Sequence, residues 1–151
     1  VSRLLVVHHT TSPALAELLE AALAGARQVG TELDVAIRPA LTASPVDLLG
    51  ADGVLLATPA NIGYMAGALK HFFDQAYYPT LHAQVGLPYG FYVHGNLDVA
   101  GAVRSVEQIA GGLGWRAVGA PVLVTGAPAR ADLDAVAELA ATVGAHTAQL
   151  L

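Results

Sequence analysis

A chain of 151 residues is long enough to bury a full core as one domain spanning 1–151. Charged residues make up only 13% and apolar ones 54%, so a large core is expected, together with further surface buried in a homodimer or higher homo-oligomer. Seven Lys and Arg against a net charge of −5 exclude the basic stripe of a nucleic-acid binder, and the absence of cysteine excludes disulfides, thiolate metal sites and a cysteine nucleophile.

Arg3–His8 (RLLVVH) is a continuous apolar run, as in a parallel strand buried on both faces. Because this run is short and no cleavage-site pattern follows it, no signal peptide is expected. Ser12 as N-cap and Pro13 at the first helical position start a helix, with Leu15, Leu18, Leu19 and Leu23 at helical spacing towards Val29. Glu32–Ile37 reads as a second strand and Asp47–Leu49 as a short helical turn. Gly53–Thr58 (GVLLAT) is a third strand, leading through a loop with Pro59 and Gly63 into a helix over Met65–Tyr77.

The uncharged run from Gln75 to Leu97 contains Pro79, Pro88 and several polar groups, so no membrane span is expected there. A soluble, cytoplasmic protein follows as the expectation. Tyr89–His94 (YGFYVH) is the fourth strand and Val99–Leu113 the next helix. Ala117–Thr125 is a fifth strand, bent at Gly119 and Pro121, and Ala131–Leu151 closes the chain as a helix. Five strands alternating with helices predict an α/β fold: a doubly wound five-stranded parallel sheet with helices on both faces. Right-handed crossovers and this length favour the flavodoxin-like order 2-1-3-4-5.

In such sheets ligands sit in the crevice outside the carboxyl ends of the strands, so the loops there discriminate between functions. A dinucleotide-binding domain needs glycines directly after strand 1, whereas the first glycine here is Gly25. A P-loop needs a lysine in its glycine-rich loop, and the only lysine, Lys70, lies in a helix. A phosphoacceptor receiver needs acidic residues after strand 1 and an aspartate ending strand 3, where this chain has His8-His9 and Thr58.

What the first loop does offer is three hydroxyls, on Thr10, Thr11 and Ser12, beside the N-terminus of the helix that begins at Pro13. That arrangement suits a phosphate monoester, although Ser/Thr before a helix also serves as a plain N-cap. His8 and His9 are neighbours on a strand and point to opposite faces, so they do not chelate one ion, and no metal site is expected. The loop after strand 4, His94-Gly95-Asn96-Leu97-Asp98, suits an irregular turn, with Asp98 also able to cap the next helix.

Residues 58–75, TPANIGYMAGALKHFFDQ, carry the most specific pattern: T-P-x-x-[aromatic or Ile]-G-x-M-x-G, then a basic residue and F-x-D-Q. This pattern resembles the isoalloxazine-binding loop of the flavodoxin-like flavin reductases. The family comprises the NADPH-dependent FMN reductases and the tryptophan-repressor-binding-protein-type quinone oxidoreductases. The resemblance implies non-covalent FMN, with NAD(P)H as electron donor and FMN or a quinone-like compound as acceptor.

It further implies that Thr10, Thr11, Ser12, Pro13 and Ala14 wrap the FMN phosphate. Pro13 departs from the pattern, since much of the family has glycine there and one more donor amide. Pro59, Ala60, Asn61, Ile62, Gly63 and Tyr64 would lie along the ring and ribityl chain, and His94, Gly95, Asn96 and Asp98 along the other edge of the flavin. Gly63 permits close backbone approach, Asn61 offers hydrogen bonds, and Ile62 or Tyr64 offers packing on the ring. The family's dimers imply a partner-facing rim at Tyr77, Tyr78 and His82, while Phe72, Phe73 and Trp115 read as core. The flavin carries the chemistry, so no catalytic side chain is assigned. The alternative is a non-enzymatic flavin protein, either an electron carrier or a flavin store, or a domain that has lost its cofactor. A carrier calls for a denser acidic face than this chain offers.

Overall fold

The computed structural model describes residues 1–151. Strand β1 (Ser2–His8) lies centrally, parallel to β2 (Leu33–Pro39) on one side and β3 (Gly53–Asn61) on the other. β3 pairs in parallel with β5 (Pro88–Gly95), whose far edge carries β6 (Arg116–Ala117) and then β7 (Val122–Thr125). The order is β2-β1-β3-β5 followed by β6 and β7, which is the flavodoxin-like 2-1-3-4-5 with its last strand in two pieces. The predicted bend at Gly119 and Pro121 becomes a full interruption. Residues 118–121 leave the ladder apart from one bond, from the Val118 N–H to the Tyr89 carbonyl at 3.0 Å.

Side chains alternate along each strand and build two cores. Leu4, Val6, Leu55, Ala57 and Tyr92 pack under α1 (Pro13–Arg27) and α5 (Arg130–Thr147). Leu5, Val7, Val54, Leu56, Phe91 and Val93 pack on the opposite face with Leu48 of α2 (Pro45–Leu49), Leu69, Phe72 and Phe73 of α3 (Gly67–Thr80), and Val106 of α4 (Ala100–Gly112). Trp115 is buried against Phe73 and Tyr89, with ring centroids 5.9 and 5.6 Å away. No helix is long and apolar enough to cross a membrane.

Side-chain caps set the starts of α1 and α2. Ser12 Oγ accepts from the Leu15 N–H at 3.2 Å, with Pro13 behind it, as the sequence predicts. Ser44 and Asp47 form a reciprocal capping box on α2. At α5, Asp132 Oδ2 accepts from the Ala129 N–H at 2.8 Å, but alanine has no oxygen to reciprocate.

Two helix ends differ from expectation. α3 runs past Tyr77 to Thr80 and includes Pro79; so near a helix end the proline removes only its own amide bond, and Thr80 Oγ1 donates to the Ala76 carbonyl at 2.8 Å. α5 stops at Thr147, not Leu151. There Gln149 adopts φ 60°, its N–H reaches the His146 carbonyl, and the Leu150 N–H reaches the Ala145 carbonyl at 2.8 Å. This is a Schellman turn formed without the usual glycine, so its sequence signal is absent.

α1 and α5 cross with their backbones in contact. A Cβ on Gly25 would fall 2.0 Å from the Ala137 carbonyl oxygen. Gly25→Ala therefore forces the helices apart and is expected to cost about 1–3 kcal/mol. Thermal unfolding by circular dichroism should show a Tm lowered by several degrees. Gly111→Ala in α4, where a Cβ meets nothing within 4 Å, should leave Tm unchanged or slightly raised.

Candidate functional site

The carboxyl ends of β1, β3 and β5 lie side by side, with His8 level with Ala57 and Pro59 level with His94. Three chain segments leave the sheet there, and they are the three that the sequence singles out.

The first segment follows β1. The His9 N–H still bonds the Ala57 carbonyl at 3.1 Å, after which the chain lifts off into Thr10 and Thr11. Ser12 is extended (φ −146°, ψ 161°), and its carbonyl accepts the Ala16 N–H at 3.0 Å. The N–H groups of Thr10, Thr11, Ser12 and Ala14 find no acceptor in the protein, and Pro13 has none to offer. Four free donors thus surround the positive end of α1, whose first turn has no acidic residue. The Ser12 hydroxyl accepts from Leu15, so its own hydrogen is free to donate as well.

His8 closes the base of this loop. Its Nδ1 lies 2.9 Å from Thr10 Oγ1. Burial holds the imidazole below its ordinary pKa, and the neighbouring His9 pushes it the same way.

The second segment is a hairpin and not the loop that the sequence suggests. β3 continues through Pro59 and Ala60 to Asn61 and folds back as β4 (Tyr64–Met65), with Asn61 opposite Tyr64 and Ala60 opposite Met65. The two turn residues, Ile62 and Gly63, both have positive φ, at 50° and 71°. A two-residue hairpin turn of this kind matches the twist of its strands, and Gly63 suits it. Ile62 does not: a β-branched residue is strained there, and its side chain is fully exposed at 106%.

The hairpin is held at three points. The buried Thr58 hydroxyl accepts from the Ala66 N–H at 2.9 Å and donates to the Pro59 carbonyl at 2.8 Å. The Met65 N–H donates to Ser105 Oγ of α4 at 3.2 Å, and that hydroxyl donates to the Ala102 carbonyl. The Gly63 carbonyl lies so close to α4 that a Cβ on Gly101 would come within 1.9 Å of it. α3 consequently begins at Gly67, after the return strand, rather than at Met65.

The third segment follows β5. Gly95 is buried between Ala60 and Val99, where a Cβ would lie 3.2 and 3.0 Å from their side chains. His94 is 9% exposed, and its Nε2 lies 2.8 Å from the Gly126 carbonyl, so that nitrogen carries the proton. Asp98 Oδ1 accepts from the Ala100 N–H at 2.9 Å, one position ahead of the formal N-cap Val99. Asn96 and Leu97 stay exposed, Leu97 at 90%.

The structure brings Thr10–Ala14, Pro59–Tyr64 and His94–Asp98 to one edge of the sheet. It does not bring Tyr77, Tyr78 and His82 to that edge within one chain, because they lie at the far end of α3, roughly 15 Å along its axis. Tyr77 and Tyr78 meet edge to face at 5.3 Å. Sequence reasoning missed Thr58, Gly101 and Ser105 as supports of the hairpin. No hairpin signal is legible before Gly63, where the run is continuously apolar to Ala57 and Ile62 is a poor turn residue, and nothing local marks Gly101 or Ser105 as anchors.

The first solved structure to compare is a flavodoxin, WrbA-like protein from Agrobacterium tumefaciens, with a TM-score of 0.80 at 18% identity over 99% of both chains. The chain has the flavodoxin fold. A Streptococcus pneumoniae flavodoxin superimposes with a TM-score of 0.78 at 20% identity, over 96% of this chain and 99% of that one. The flavodiiron protein of Giardia intestinalis matches over 98% of this chain but only 36% of its own length, with a TM-score of 0.83 and 14% identity.

Among curated proteins, an NAD(P)H dehydrogenase (quinone) of Acidithiobacillus ferrooxidans is 31% identical over 94 residues, covering 50% of this chain. The match spans 47% of that relative's length, about half of it. No protein-family model matches the chain.

Two substitutions test the hairpin. Gly101→Ala should push the Gly63 carbonyl away and cost about 1–3 kcal/mol, read as a lowered denaturation midpoint with amide shifts concentrated at 60–65. Ile62→Asn places a residue suited to positive φ at the turn and should stabilise the protein by about 1 kcal/mol.

Proposed function

We propose that the chain binds FMN non-covalently at this edge and works as an NAD(P)H-dependent oxidoreductase that reduces FMN or a quinone-like acceptor. The observation that carries the reading is the cluster of four unpartnered backbone donors at Thr10, Thr11, Ser12 and Ala14, set at a helix N-terminus beside the hairpin. Such donors answer a phosphate without a lysine or arginine in the loop.

The residues present fit the rest of the cofactor. The turn backbone at Ala60–Gly63 and the Asn61 side chain offer hydrogen bonds for a ribityl chain and a ring edge. Ile62, Tyr64 and Leu97 present exposed apolar surface beside them, of the kind that a planar ring covers. Gly95 keeps the third loop close to Ala60, and His94, with its proton held on Nε2 by the Gly126 carbonyl, leaves Nδ1 as its free nitrogen. Pro13 removes one donor, so phosphate affinity rests on the remaining four amides and the Ser12 hydroxyl. When bound, the flavin supplies the ring that accepts and passes on a hydride; the chain binds it, orients it and shields it from water.

The activity rests on the quinone-dehydrogenase relative and on the 58–75 pattern rather than on the fold, which serves many functions. An electron carrier is less well supported, because the three segments carry a single acid, Asp98, where docking on a basic partner calls for several. We also assign a homo-oligomer, for which the exposed Tyr78 on α3 is the nearest candidate surface.

The test is a flavin titration followed by anaerobic addition of NADH or NADPH. FMN should bind with quenched fluorescence, and its visible absorption should bleach with one of the two donors. Flavin that binds but stays oxidised points to a carrier or store, and no binding of added FMN contradicts the cofactor.

A further inference from the structure

With no Lys or Arg in the loop proposed to take the phosphate, the question is what answers the phosphate charge, and His8 stands where an answer is possible. It is the last residue of β1, its side chain lies on the α1/α5 face, and its Nδ1 is 2.9 Å from the hydroxyl of the first loop residue, Thr10. The proton in this contact can sit on either side. If the Thr10 hydroxyl donates to a bare Nδ1, its oxygen turns only lone pairs outward and repels an anion. If Nδ1–H donates to the oxygen, the hydroxyl hydrogen is released to donate to a phosphate.

We propose that His8 is a positioning residue for the phosphate of the bound flavin, delivering the Thr10 hydroxyl as a donor by carrying a proton on Nδ1 and so coupling FMN binding to proton uptake. The inference rests on the FMN reading of this edge. The surroundings leave His8 to respond mainly to the ligand. Its strand neighbours in register, Pro39 and Ala57, carry no charge, although Arg38 adjoins Pro39 on β2. His9 follows it in the chain and opposes a positive charge on it. On the helices above, α1 carries Glu17, Glu20 and Arg27 and α5 carries Arg130, Asp132, Asp134, Glu138 and His146, and His94 near the end of β5 is on the same face of the sheet. Arg130 pairs with Asp134 at 3.3 Å, and Asp132 is engaged by Ala129.

The sign follows. Burial keeps the free imidazole neutral at pH 7, whereas a bound phosphate dianion favours the protonated ring. Affinity for FMN is therefore gained as pH falls from 8 towards 6.5 and lost as pH rises. The phosphate itself takes up a proton near pH 6, so the window is read above that. Riboflavin, which lacks the phosphate, should show no such dependence.

The experiment measures Kd for FMN and for riboflavin between pH 6.5 and 8 by fluorescence quenching, in the wild-type protein and in His8→Gln and His8→Leu. Wild-type affinity for FMN should tighten by about threefold to tenfold over that range, with net proton uptake in calorimetry run in two buffers. His8→Gln, whose amide donates to Thr10 without titrating, should bind FMN with a flat pH profile. His8→Leu should bind FMN more weakly and riboflavin as before.

An FMN profile equally steep in His8→Gln and wild type, or a flat one in wild type, overturns the assignment while leaving the FMN reading intact. A protein that binds neither flavin at any pH removes the FMN reading, and this inference with it.

Discussion

The site depends on one close approach, that of the Gly63 carbonyl to the backbone of α4 at Gly101. No side chain beyond hydrogen fits between them. This contact fixes where the β3–β4 hairpin lies, and with it the turn that carries Ile62 and the exposed ring of Tyr64. Thr58 and Ser105 hold the same hairpin by hydrogen bonds from its base and its back. The hairpin thereby becomes a rigid wall set by the tertiary packing of α4, although α4 lies on the other side of β5 in the chain.

The opposite end of the crevice is held by different physics. There the chain leaves its amides unpaired, beside the start of α1. Buried backbone groups are almost always satisfied, so a run of four open donors is tolerated only where water or a ligand reaches them. The low charge of the molecule fits such a site. On the proposed reading neutral dipoles do the work that a lysine does elsewhere, and His8, in contact with Thr10 and with His9 beside it, is a group whose charge can change within the physiological range.

Much of this was legible in the sequence because it is local. The buried runs of β1, β3 and β5, the Ser12-Pro13 helix start and the sheet order follow from hydrophobic period and turn residues. What the sequence hid depends on contacts between distant segments. The hairpin at 60–65 looks like a loop because Ile62 is a poor turn residue, and only the grip of α4 makes it worthwhile. The end of α5 carries no glycine, so its turn at Gln149 gives no advance signal. The division of the fifth strand was half visible: Gly119 and Pro121 mark a bend, but that the ladder lapses between them depends on the edge of β5.

Amide NMR on the protein titrated with FMN and, separately, with riboflavin is the most direct test of the crevice. The account predicts that both flavins shift the amides of residues 60–64 and 95–98, and that only FMN moves those of Thr10, Thr11, Ser12 and Ala14. Shifts confined to other faces of the molecule, or a first loop that responds equally to riboflavin, would contradict it.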